Sequence, residues 1–160
     1  MIHIGFTGTQ RGMTERQVSA VRAFLTRGVY ATLPHQRFRA HHGDCIGADA
    51  QFHDIARSFG DDCAGIDIHP CDIKAKRARC TGDVVRPVKK PLDRNHDIVA
   101  ESNVMIATPK EAQMQIHSGT WTTVRYALKA GKPVVIVLPN GSVVYDGPRW
   151  PDTSHWGGTP

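Results

Sequence analysis

The stretch HSGTWTTVRYALKAGKPVVIVL, residues 117–138, decides the fold. A Gly-Thr pair opens an amphipathic helix expected over 119–130. Gly131 is its stop signal, and Pro133 to Leu138 is a solidly apolar strand. Small hydroxylated residues, Ser118, Thr120, Thr122 and Thr123, crowd the mouth of the helix. A helix followed at once by a strand that is apolar on both faces belongs to a parallel sheet covered by helices.

Working back toward the start, the same alternation recurs. Ile2 to Thr7 reads as a buried strand closed by Gly8. Thr14 and Gln17 form a capping box for a helix with Val18, Val21, Phe24 and Leu25 inward, ending at Arg27-Gly28. Phe38 to His42 is a second strand, and a helix over about 47–59 follows it. Ala64 to His69 is a third strand, broken by Pro70. Leu92 to Ser102 reads as a helix with Ile98 and Val99 inward, and Val104 to Ala107 as the fourth strand. Five strands alternating with helices predict a single doubly wound, mainly parallel, Rossmann-like α/β sheet with helices on both faces. That domain is expected over 1–140, with 141–160 an irregular tail whose Tyr145, Trp150 or Trp156 packs on the body or on a second copy. Segment 71–90 is basic and without apolar periodicity, either a functional loop or a solvated excursion.

Composition, 40% apolar and 22% charged, excludes a disordered chain. No apolar run is long enough for a membrane span. MIHIGFTG is strand-like and carries no basic leader, so no secretion signal and a cytoplasmic location are expected. The net charge of +5 suits an anionic ligand, nucleic acid or mere solubility. Cys45, Cys63, Cys71 and Cys80 lack the close spacing of a zinc module, so reduced thiols are expected, with neither a metal nor a cofactor.

In open α/β sheets ligands bind beyond the carboxyl ends of the strands. That rule selects the loops. After the first strand come Gly8, Thr9 and Arg11; after the second, Gly43, Asp44 and Asp49; after the fourth, the run from Thr108 to Thr123. The first turn of a helix holds unpaired N–H groups and a partial positive charge, a site for phosphate. Ser118, Gly119, Thr120, Thr122 and Thr123 are therefore a candidate anion cradle, with Arg11 placed to pair with it. Simple capping by Ser118 is the alternative. GTQRG lacks the full dinucleotide fingerprint. Asp44 could accept from a ribose hydroxyl, whereas Asp49 suits a cap on the second helix. Arg94 and Asn95, in DRNHD, could clamp a phosphate or base edge, or lie in a polar first turn capped by Asp93. His41, His42 and His117 flank the same edge and any of them could contact a phosphate or a base, with His117 the preferred candidate.

The ordered set GFTGT, HHGDCIGAD, DRNHDIV, VMIATP and SGTWTTVRYALKAGKPVVIV resembles the SLOG superfamily of Rossmann-like nucleotide-ligand domains over roughly residues 2–139. That superfamily takes in the LOG (lysine decarboxylase-like) phosphoribohydrolases, the DNA-processing protein DprA and small YspA-like proteins. The resemblance implies a nucleotide or nucleotide-derived ligand across the strand ends, and subunits that pair to complete each site. In LOG-type enzymes a P-G-G-x-G-T-x-x-E motif holds phosphate and supplies a catalytic glutamate. Gly119-Thr120 match its Gly-Thr, but the upstream glycines are replaced by Ile116-His117-Ser118 and the glutamate position is Thr123. Cleavage of an N-glycosidic bond needs a carboxylate. Asp44 and Glu111 are the candidates at the ligand edge; Glu101 sits at the far end of its helix.

Three functions follow as expectations. The first is a sensor or binding domain for a small phosphorylated nucleotide-like ligand. The second is an N-glycosidase of nucleoside 5′-monophosphates. The third is single-stranded nucleic-acid binding through segment 71–90, disfavoured because that segment has no interleaved aromatics for base stacking.

Overall fold

A computed structural model describes residues 1–31 and 35–150. The expectation for Trp156 lies outside these described residues. The elements run β1 (Ile2–Gly8), α1 (Glu15–Phe24), β2 (Phe38–His42), α2 (Ala48–Arg57), β3 (Cys63–Ile68), β4 (Val84–Val85), α3 (Pro91–Glu101), β5 (Val104–Thr108), α4 (Gly119–Lys129), β6 (Val134–Val137) and β7 (Val143–Asp146). They form one α/β sheet in the order β4-β3-β2-β1-β5-β6-β7. Every pairing is parallel except β6 with β7, which is antiparallel.

The sheet thus has seven strands, not five. The two additional strands are its edges. β4 pairs Val84 and Val85 with Asp67 and Ile68, inside the segment expected to be irregular. β7 occupies the start of the expected tail. Both edges are largely exposed, which is why neither carries a buried apolar run.

Side chains on a strand alternate between faces, and the two cores follow from that. Ile4 and Phe6 of β1 and Val104 and Ile106 of β5 face α1 and α2, where Val21, Phe24, Phe52 and Ile55 close the first core. Phe6 and Phe52 stack with ring centroids 4.3 Å apart. Met105 and Ala107 of β5 and Val134 and Ile136 of β6 face α3 and α4, where Ile98, Val99, Trp121 and Val124 close the second. Helices therefore cover both faces. Among the described residues no helix is long and apolar enough to cross a membrane.

The capping box forms as the sequence dictates: Thr14 accepts from the Gln17 amide and Gln17 accepts from that of Thr14. The Gln17 amide nitrogen also donates to the carbonyls of Pro109 and Val137, fastening α1 to two strand ends. Gly28 does not end this helix. The chain continues through Leu25–Ala31 in wide π turns, because Leu25 and Val29 are fully buried and hold it on the core. Nor does Asp93 cap α3. Lys90 takes the cap position and Pro91 the first helical one, where its missing N–H costs nothing. Trp150 is partly buried and packs against the first core, as expected for a tail residue folding back on the body.

Candidate functional site

The strand order turns around at β1. From it the chain runs through β2 and β3 to one side and through β5 and β6 to the other. Beyond the carboxyl ends of β1, β2 and β5 lies a cleft of about 890 Å³. Its floor and walls include Gly8, Thr9 and Arg11 from the first loop and Ser118, Gly119 and Thr120 from the mouth of α4. The two stretches singled out in the sequence therefore share one open space.

The α4 mouth presents unpaired backbone amides and the positive end of the helix dipole to this space. Ser118 caps the helix, its hydroxyl accepting from the Trp121 amide at 3.3 Å while its carbonyl accepts from Thr122 at 2.9 Å. The amides of Gly119 and Thr120, ahead of these, have no helical carbonyl behind them. Gly119 is exposed, and a Cβ there would meet nothing within 4 Å. Ser118 thus both caps the helix and lines the cleft. Opposite, Thr9 is pinned by its amide to the Thr108 carbonyl, 3.2 Å, and its own carbonyl accepts from Gly12 and Ala48. Arg11 is exposed on this turn, with no side-chain hydrogen bond among the described residues. Lys76 and Lys110 add positive charge to the walls.

Thr122 and Thr123, candidates for the same anion cradle, do not line the cleft. The Thr122 hydroxyl accepts from Arg125 at 2.8 Å. Thr123 is fully buried, donates to the Gly119 carbonyl at 2.9 Å and accepts from Asn95 at 2.8 Å. One helical turn carries both away from the mouth. The Thr123 hydroxyl is therefore sealed in a joint between α3 and α4.

Arg94 and Asn95 line the cleft but are engaged in its construction. Arg94 Nη1 donates to the carbonyls of Gly43 and His69, Nε to that of Pro91 at 3.1 Å, and Nη2 lies 3.0 Å from Cys45 Sγ. Gly43 is glycine because a Cβ there would run into this guanidinium. Arg94 is a strut rather than a free phosphate clamp.

Of the two candidate carboxylates, Asp44 is ruled out. It is fully buried, and its oxygens accept from Arg77 at 3.2 Å and from the Cys80 amide at 2.8 Å. Glu111 remains on the cleft wall. Its Oε1 lies 3.7 Å from Lys110, and its buried Oε2 has no hydrogen-bond partner among the described residues. The structure adds Asp49, which the sequence offered only as a cap. Its Oδ2 does accept the amides of Gly43 and Cys45, both at 3.0 Å, yet the residue also lines the cleft. Its place in the first turn of α2, after a glycine-rich loop, was the available signal. Among the histidines, His41 and His42 are fully buried, and the exposed His117 lines the cleft.

Burial pushes the Asp49 carboxyl up to about 6, against the pull of Arg94 and the two backbone amides. The folded state therefore favours the protonated acid. That contribution, roughly 2–3 kcal/mol, is present below the unfolded carboxyl range near pH 4. It is lost as pH rises through about 6. Asp49→Asn keeps an oxygen for both amides and carries no charge. Urea unfolding at pH 4 should find this variant close to the parent, and at pH 7 more stable by about that amount. A difference that does not change with pH would contradict the assignment.

No protein-family model, curated protein or solved structure matches this chain.

Proposed function

We propose that the chain binds a nucleotide or nucleotide-derived phosphorylated ligand in this cleft, as a sensor or binding domain of Rossmann-like, SLOG type. The observation that carries the reading is the meeting of the free amides of Gly119 and Thr120 with Arg11 across one open cleft at the turn in strand order. Phosphate oxygens at a helix mouth gain several hydrogen bonds and a favourable dipole at once. The cleft also offers an apolar bed for a base, since Leu92, Met114 and Ile116 line it while 45%, 52% and 79% exposed.

Arg11→Ala removes a charge-assisted contact worth about 1.5–3 kcal/mol, roughly a 10- to 100-fold loss of affinity. Because Arg11 is exposed, the melting temperature of the free protein should not move. Native mass spectrometry of the protein purified from cells tests the reading itself. A retained mass matching a phosphorylated nucleotide supports it. A protein that carries none, and whose melting temperature no nucleotide raises, contradicts it.

The runner-up is hydrolysis of the N-glycosidic bond, favoured by Glu111, whose unpartnered oxygen stands on the cleft wall. It predicts free base on incubation with nucleoside 5′-monophosphates, abolished by Glu111→Gln. The nucleic-acid reading is weakened because three of the seven Lys and Arg residues of segment 71–90 are engaged in ion pairs. Arg77 pairs with Asp44, Arg86 with Asp67 and Glu101, and Lys89 with Asp97. A paired assembly remains part of the proposal through the resemblance, and its measure is the mass in solution.

A further inference from the structure

On the face of the sheet that α3 and α4 share, β2 and β3 present polar side chains: Arg39 and His41 from β2, and Asp67 from β3 followed by His69. Glu101, the last residue of α3, reaches over this patch from the side. His41 Nδ1 lies 3.1 Å from His69 Nε2 and 3.8 Å from Glu101 Oε2. All three donor atoms fall within 4.8 Å of one another.

A tetrahedral zinc ion with bonds of about 2.0–2.1 Å sets its ligands about 3.3 Å apart. The observed separations surround that value, so small side-chain movements complete the arrangement. We propose that His41, His69 and Glu101 form a binding site for a divalent transition-metal ion of the zinc class. Two imidazoles and one carboxylate are a borderline donor set, suited to such an ion and poorly suited to magnesium or calcium. The other ring nitrogen of His41 lies 2.8 Å from His3 Nδ1, a partner that fixes the ring's orientation. The Glu101 side chain is 35% exposed, so water can take the remaining coordination position.

Arg86 now bridges Glu101 at 2.7 Å and Asp67 at 2.8 Å. It is itself 39% exposed, so it can leave Glu101 to the metal and stay on Asp67, which Arg39 also holds. The ion would tie the end of α3 to β2 and to the residue that follows β3. The His69 carbonyl accepts from Arg94, so the site adjoins the cleft wall without opening into the cleft. Its role is structural, and it does not depend on what the cleft binds.

Protein stripped with a chelator and titrated with Zn²⁺ by calorimetry should take up one equivalent and melt at a higher temperature, with no comparable response to Mg²⁺. Glu101→Gln, at a partly exposed position that should not compromise folding, should weaken Zn²⁺ binding about tenfold or more. His69→Gln should abolish it. Cobalt-loaded protein should show ligand-field bands without thiolate charge transfer, separating this site from the free cysteines. Absence of uptake would overturn the proposal. So would unchanged affinity in Glu101→Gln, which remains decisive should His69→Gln fail to fold, or a thiolate signature.

Discussion

Arg94→Met should lower the free energy of unfolding by about 3–5 kcal/mol, as removal of one partner from a buried charged network does. Against a typical total of about 5–15 kcal/mol this is a large fraction. Arg94 is 6% exposed and holds the carbonyls of Gly43, Pro91 and His69, with Cys45 Sγ beside it. These groups come from two separate loops and a helix start. Methionine fills much of the volume but leaves the carbonyls without donors and Asp49 without its positive neighbour. Arg94→Lys should recover little, because a single ammonium cannot reproduce a planar fork of donors. Adding Asp49→Asn to Arg94→Met should recover part of the loss, since the buried carboxylate would no longer be uncompensated. Urea unfolding measures all of these. A loss below about 1 kcal/mol for Arg94→Met would show that the strut is not what holds the loops.

Gly119→Asp should separate binding from stability. The position is open: a Cβ there meets nothing within 4 Å. An acidic residue in the first turn of a helix is favourable by about 0.3–1 kcal/mol. The free protein should therefore melt at the same temperature or slightly higher. The same carboxylate would stand where the ligand's phosphate must sit, repelling it and competing for the Gly119 and Thr120 amides. Affinity for a phosphorylated ligand should fall about 100-fold or more, roughly 2.7 kcal/mol. Gly119→Ala is the control, with an uncharged Cβ in open space and little effect on either quantity. Opposite signs for stability and binding cannot arise from general misfolding.

The backbone of the fold was legible because buried parallel strands are short apolar runs. β2 was read at its observed bounds, Phe38–His42, and β3 was displaced by one residue. What escaped was set by partners distant in sequence. β4 is two exposed valines that become a strand only by pairing with β3, and β7 is an exposed edge. Gly28 signalled a stop, but burial of Leu25 and Val29 outweighs its propensity. In the site, the Gly-Thr mouth was readable because backbone amides at a helix start are a local property. The role of Arg94 was not, because its partner Cys45 is 49 residues away. Asp44 lost its candidacy to Arg77 and the Cys80 amide, in a segment with no periodicity to reveal them. Thr123 was placed by its hydroxyl type, while helical geometry turns that hydroxyl onto the Gly119 carbonyl one turn back. The histidine and glutamate donors are equally scattered, on β2, after β3 and at the end of α3.

The most direct measurement is calorimetric titration of the protein with matched pairs, each nucleoside beside its own 5′-monophosphate. The cleft account predicts saturable binding for at least one monophosphate. It predicts none, or binding weaker by about 100-fold, for the matching nucleoside, as expected when the phosphate contributes about 2.7 kcal/mol. A nucleoside that binds as tightly as its monophosphate, or a panel in which nothing binds, would contradict it.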